Sequence, residues 1–337
     1  MIPTDFSKYL TDFLTKYLVN ERGASSNTVK PYRDTFVQFI RYLTDVQNVK
    51  MNKITLSVIT KESVVAFLDW LQETNKCSNA TRNSRLAALH SFVRYVQFHH
   101  PDHLFEYQRI LSIKVKKHKK ENIYWLSVDG IRLLLNQPDM TSKKGRRDAA
   151  LLSLMYDTGA RVQEMVDLTV QDVHTESPYS VRINGKGQKI RIVPLLEEQV
   201  KLLLFYLKEN GLMKNEYRPY PLFCNNRKDK LTRGGISHIV LKYAKSARKQ
   251  DSTLIPSIIS CHSLRHSKAM HLLQAGVNLV YIRDILGHGS IQTTEIYARI
   301  DSKQKRDAIE KAYIAVSPDV NPLWERDENL LQWLKSF

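Results

Sequence analysis

The first hundred residues of this chain carry one apolar spacing four times over. Phe6, Tyr9, Leu10 and Phe13 show it, as do Phe36, Phe39, Ile40 and Leu43. Val64, Phe67, Leu68 and Leu71 repeat it, and Leu89, Phe92, Val93 and Val96 close the series. Each set falls at i, i+3, i+4 and i+7, the spacing of one helix face, and four such faces can leave water only by packing against one another. Start signals agree: Ser26 or Asn27 precedes the second helix, Thr60 the third, and Ser78 or Asn79 the fourth. A compact four-helix domain over residues 1–105 is expected.

From Glu106 to Asn122 the apolar period fades into a basic run, Lys114, Lys116, Lys117, Lys119 and Lys120. It reads as a linker over 106–122, either a solvated connector or a strap along a phosphate backbone. Residues 123–316 return to helical patterning, broken by β-branched runs at Ser180–Ile183 and Lys189–Val193 around Asn184, Gly185, Lys186 and Gly187. Asn-Gly between such runs is a hairpin signal. The expected fold is therefore mainly α with a small β-hairpin or sheet. The tail, 317–337, carries Leu323, Trp324, Leu330, Leu331, Trp333, Leu334 and Phe337, enough apolar surface to fold back or to dock on a neighbouring protomer.

With 337 residues the chain has room for about two cores. Lys and Arg number 51 against 34 Asp and Glu, a net charge of +17, so the partner is expected to be polyanionic. Charge alone leaves nucleic acid and an anionic membrane surface open. Cys77, Cys224 and Cys261 form no CxxC pair, which argues against a disulfide framework or a thiolate metal site and fits a reducing cytoplasm. The chain opens without a signal-peptide pattern and has no long apolar run, so a soluble, cytoplasmic protein with no membrane contact is expected.

Four fragments carry the chemistry: Thr158 to Glu164 with Arg161; the tip Gly185-Lys186-Gly187; His262-Ser263-Leu264-Arg265-His266; and Leu286-Gly287-His288 with Tyr297 beyond it. Singly, each reads as surface or core. Together they are the inventory of phosphodiester chemistry done by side chains. Arg161 and Arg265 offer bidentate forks for charge on the non-bridging oxygens. Lys186 could protonate the leaving sugar oxygen, with Lys189 as the alternative in another hairpin register. His262 and His288 suit phosphate ligation or proton transfer near neutrality, and Tyr297 could attack as a phenol. A metal reading of His262, His266 and His271 lacks the glutamate that a zinc hydrolase helix places after its first histidine, and Arg265 would repel the ion. No cofactor and no metal are expected.

In order, type and spacing, these fragments resemble the tyrosine recombinases, or phage integrase family. The likeness takes in Ala160-Arg161 with Glu164, Gly185-Lys186-Gly187 with Lys189, Arg191 and Pro194, then His262 to His266, Leu286-Gly287-His288 and Tyr297. The resemblance implies a catalytic set of Arg161, Lys186, His262, Arg265, His288 and Tyr297, with Glu164 and His266 supporting it. It makes Ser26-Asn27-Thr28 and Asn79-Ala80-Thr81-Arg82 part of a core-binding domain and implies that both domains close as a C-shaped clamp; Arg82 and the linker lysines are the candidate DNA contacts. It further implies a covalent link to the 3′ side of the cut, inverted-repeat core sites in double-stranded DNA, and a homotetramer on two duplexes joined through the tail. A directionality factor fits the same scheme.

Three rivals stay beside this reading: a resolvase of replicon dimers, a type IB topoisomerase, and a DNA-binding architectural protein that has lost catalysis. Both histidine blocks favour the recombinase over the topoisomerase, and the unbroken set opposes the architectural reading. Start of the chain in the first core-binding helix, strong basicity and a long tail lean the expected role toward a mobile-element integrase or transposase.

Overall fold

The structure, a computed structural model, describes residues 3–117, 123–185, 187, 189–300, 332 and 334–336. The chain divides into two units, Met1–Glu121 and Asn122–Phe337. In the first, Thr4 caps α1 (Asp5–Asp12), which runs on as a wider π-helical stretch, Phe13–Glu21. α2 (Ser26–Arg41) continues likewise through Tyr42–Val46, and its cap is Ser25, one residue before the expected start. α3 (Lys61–Thr74) begins with a reciprocal box in which Thr60 and Ser63 satisfy each other's backbone N–H, and Ser78 caps α4 (Asn79–His99). The four apolar faces meet as expected. Phe92 packs edge-on against Phe13 and Phe36, ring centres 5.4 and 5.0 Å away, each buried ring contributing about 1.5–3 kcal/mol.

Two expectations need correction here. The stretch from Glu106 is not yet linker, because α5 (Leu104–Leu111) buries Tyr107 and Ile110 in the same core, followed by Ile113. Three anchors at i, i+3 and i+6 are too few to register as a periodic run. Arg82 is no surface phosphate contact: only 4% exposed, it shares the stripe of Leu86, Leu89 and Val93 on α4. Lys114, Lys116 and Lys117 are exposed. Asn83 holds the backbone beneath them, its Nδ2 donating to Lys116 O (2.8 Å) and its Oδ1 accepting from Lys116 N (3.0 Å). Lys119 and Lys120 lie outside the described residues.

The second unit begins with α6 (Val128–Leu135) and α7 (Lys143–Thr158), capped by Ser127 and Ser142. α8 (Val162–Asp167) leads to an antiparallel sheet in the order β1 (Val173–His174), β2 (Ser180–Asn184), β3 (Ile190–Pro194). Val181 pairs with Val193, and both are buried. The turn is longer than a two-residue Asn-Gly link, for Asn184 pairs with Ile190 and Gly185 N donates to Lys189 O at 2.8 Å. Gly187 supplies the left-handed step in that turn, φ +75°. α9 (Glu197–Glu209), α10 (Arg233–Gln250), α11 (Cys261–Gln274), α12 (Leu279–Leu286) and α13 (Gln292–Ile300) complete the unit. α7 is buried on most sides, packing against α6, α9 and α11. A smaller apolar cluster, Ala269, Met270, Leu273, Ile282, Leu286 and Tyr297, ties α11, α12 and α13 together. Trp324, Trp333, Phe337 and Tyr313 lie outside the described residues. No helix among the described residues is long and apolar enough to cross a membrane.

Candidate active site

α7 stops because Gly159 takes a left-handed conformation, φ +57°, with the Leu286 side chain 2.5 Å from where a Cβ would sit. The chain therefore turns tightly into Arg161, which precedes α8. Glu164, one turn on, reaches back: its Oε2 accepts from Arg161 N (2.8 Å) and its Oε1 from Arg161 Nη1 (2.8 Å). Arg191 on β3 closes on the same carboxylate, Nη1 to Oε1 at 3.1 Å and Nη2 to Oε2 at 2.7 Å. Glu164 is thus a buried anion shared by two guanidinium groups. Burial alone would raise its carboxyl, but Arg191 and then Arg161 overcome that and hold it below the usual carboxylate range. Arg161 keeps 32% of its side chain in solvent, with Nη1 fastened to Glu164 and Nη2 donating to Gly287 O at 3.3 Å.

Arg191 also donates from Nε to Ile285 O at 2.9 Å, joining the sheet to the end of α12. There Gly287 adopts φ +63°, and a Cβ would lie 2.9 Å from Arg191 Nη1. Only glycine lets the turn bearing His288 come so close to that guanidinium. Arg265, on α11, is almost wholly buried and is aimed by two carbonyls, donating to Gly159 O (2.6 Å) and Leu286 O (2.7 Å). Burial, then the nearby Arg161 charge, pushes its guanidinium down to about 10, so it stays cationic at neutrality.

Three imidazoles and a phenol surround these cations. His262 is exposed, its imidazole lowered by burial and by Arg265, Arg161 and Arg233. His266, one turn on, shares a 2.8 Å hydrogen bond with Tyr297 Oη through Nδ1 and is pushed down to about 4 by burial, His262 and Arg265. His288 shares a 2.8 Å bond with the hydroxyl of buried Thr294 and is likewise pushed down to about 4, by burial, Arg265 and Arg161. All three are neutral near pH 7. Tyr297, 1% exposed, stacks on His288 with ring centres 6.4 Å apart. Burial raises its phenol while Arg265 and Arg161 pull the other way.

The structure thus gathers Arg161, Glu164, His262, Arg265, His266, His288 and Tyr297 into one neighbourhood. Lys186 lies outside the described residues; Lys189 is exposed and lines a cleft with Gly185, Arg191, Gly287 and His288. Lys114, Lys116, Lys117 and Arg82 belong to the other unit. Tyr281, the other described tyrosine of this region, is 65% exposed, because Ile282 and Leu286 form the buried stripe of α12. Sequence reasoning missed the parts played by Arg191, Thr294 and Arg233. Arg191 stood in the quoted hairpin, and its place opposite buried Ile183 is the signal that could have marked it. Among the described residues no cluster suited to a metal ion occurs.

An arrangement able to hold a phosphodiester between two fixed guanidinium groups, beside a phenol and neutral imidazoles, is the equipment of a phosphoryl-transfer enzyme. Residues 124–304 match the family model described as the phage integrase family, and residues 11–97 that of the phage integrase N-terminal SAM-like domain. An integrase/recombinase of Sinorhizobium fredii, y4rC, is 33% identical over 330 residues, 97% of each chain. The tyrosine recombinase XerD of Listeria monocytogenes is 31% identical, covering 88% of this chain and 96% of its own. A solved XerH site-specific recombinase bound to its difH substrate superposes with a TM-score of 0.65 at 25% identity, over 89% of this chain and 84% of that one. The Tn1549 transposon integrase on transposon right-end DNA shares the fold, with a TM-score of 0.65 at 17% identity over 88% and 98% of the two chains. The chain belongs to the phage integrase family, the tyrosine recombinases, and is an enzyme that cleaves and rejoins DNA.

Proposed function

We propose that Tyr297 attacks a scissile phosphate held by Arg161 and Arg265, leaving a 3′-phosphotyrosyl link and a free 5′-hydroxyl that then attacks a partner duplex. His262 and His288 attend the phosphate, and Lys186 on the hairpin protonates the leaving oxygen. The observation that carries this reading is the convergence of both arginines, the imidazoles and one buried phenol, whose ring lies 5.7 Å from that of His266 and 6.4 Å from that of His288, in the field of Arg265 and Arg161. The biological role that best fits is integration or excision of a mobile element, in keeping with the full-length similarity to a protein described as an integrase/recombinase.

Four protomers would assemble on inverted-repeat core sites of two duplexes, with the apolar tail around Trp324 and Trp333 as the link. The exposed Lys114, Lys116 and Lys117 would follow the phosphate backbone, and a directionality factor would bias integration against excision. The test is a nicked duplex on which cleavage traps the covalent adduct. Wild type accumulates it, and Tyr297→Phe binds the same DNA without it; an adduct persisting in the variant would refute the assignment. Truncation after Val316 is expected to leave single-site binding intact and to weaken pairing of two sites. Undiminished pairing would refute the tail's role.

A further inference from the structure

Tyr297 has one hydrogen-bonding partner among the three imidazoles, and it is His266, Nδ1 to Oη at 2.8 Å with ring centres 5.7 Å apart. His288 stacks on the phenol, but its Nδ1 is engaged by Thr294. His262 is exposed, one turn back on α11, its ring 6.2 Å from that of His266. The ring in contact with the reacting oxygen is thus neither of those assigned to the phosphate. We propose that His266 is a catalytic residue, the base that takes the proton of Tyr297 when the phenol attacks. The inference rests on Tyr297 being the nucleophile.

For the phenol to donate across this 2.8 Å bond, Nδ1 must be the unprotonated nitrogen, with the ring proton on Nε2. As the Oη–P bond forms, the phenolic proton passes to Nδ1 and His266 becomes imidazolium. The bond from phosphorus to the 5′ oxygen breaks, and that oxygen takes its proton from the acid on the other side of the phosphate. Rejoining runs in reverse: the 5′-hydroxyl attacks and returns its proton to that acid, the P–Oη bond breaks, and Nδ1 returns its proton to the phenolate oxygen. Protons and bonds balance without any further reactant.

Charges around His266 suit this task. Burial, then His262 and Arg265 on its own helix, keep it neutral in the absence of DNA, so a lone pair is ready at Nδ1. A phosphate anion seated between the two arginines offsets their charge and raises the basicity of the imidazole when the proton must move. His262, not bonded to the phenol, is left to serve the phosphate.

Leaving-group chemistry separates the two sides of the reaction. On a nicked duplex whose 5′-bridging oxygen is replaced by sulfur, the leaving thiolate needs no proton, so defects of the acid vanish and defects of the base persist. At saturating protein, His266→Gln and His266→Ala should slow adduct formation by about 10²–10³-fold on both oxygen and sulfur substrates. Affinity for uncleaved DNA should stay at the wild-type value, and added imidazole should restore rate to His266→Ala alone. Wild-type cleavage by His266→Gln, or full recovery on the sulfur substrate, would overturn the proposal. An adduct in Tyr297→Phe would remove the nucleophile and this inference together. No adduct in Tyr297→Phe with normal adduct in His266→Gln would remove the inference alone.

Discussion

Glu164→Gln changes one atom in the centre of the site, and its cost follows from the bonds that atom makes. Oε1 accepts from Arg161 Nη1 and Arg191 Nη1, and Oε2 from Arg161 N and Arg191 Nη2. Whichever way the amide is turned, its NH₂ faces two donors, so two charge-assisted bonds disappear and two cations are deprived of their anion. Breaking a buried pair by removing one partner costs about 3–5 kcal/mol. Arg191 is 9% exposed and suffers the full effect, while Arg161, with 32% of its side chain in water, can turn outward. The lower end, about 3 kcal/mol, is therefore expected, which for a unit of this size lowers Tm by about 6–12 °C. Urea unfolding at pH 7 checks it.

Acidification gives the same prediction a second arm. Glu164 is held below its ordinary value of 4.5, so it stabilises the fold above that pH and its contribution fades as pH falls through the depressed value. The gap between wild type and Glu164→Gln should be constant from pH 7 to about pH 5 and narrow only below about 4.5. Loss of Arg161's anchor should also cut adduct formation by about 10²-fold through misplacement. A variant less than about 1 kcal/mol weaker at pH 7, the range of an exposed ion pair, would refute the buried triad.

Gly287→Ala should displace Arg191 from Glu164, because the new Cβ would fall 2.9 Å from Nη1 on a backbone at φ +63°; a loss of about 1–3 kcal/mol with slower adduct formation is expected, and an unchanged melting curve would count against it. Thr294→Val keeps the shape of a fully buried side chain but removes the hydroxyl at His288 Nδ1; single-turnover cleavage should fall by about 10-fold or more, with DNA affinity unchanged. Replacing Lys114, Lys116 and Lys117 by glutamine should flatten the dependence of log K on log salt by about 0.9 for each phosphate no longer neutralised. Lys116 should matter least, since its Nζ already donates to Gln72 at 2.7 Å.

The four apolar faces of the first hundred residues meet in one core because long apolar stripes leave few choices of partner, while the 1–105 boundary fails to take in α5. Short elements leave a fainter trace: α5 has two buried residues in eight, and β1 is two residues long. Arg82 sits in a stretch that resembles a DNA-facing motif, yet its i+4 and i+7 neighbours, Leu86 and Leu89, place it on the buried stripe. Site residues are legible where chemistry demands a residue type in a set order, as with Arg161, Arg265 and Tyr297. Arg191 and Thr294 act by fixing another side chain, and such roles depend on contacts between elements far apart in sequence. Ile285 O, 94 positions from Arg191, leaves no local mark.

The most direct test of the account is to digest the trapped protein–DNA adduct and locate the modified peptide by mass spectrometry. The account predicts one phosphotyrosyl nucleotide, on Tyr297, joined to the 3′ side of the cut. A nucleotide on any other residue, exposed Tyr281 for example, would contradict it.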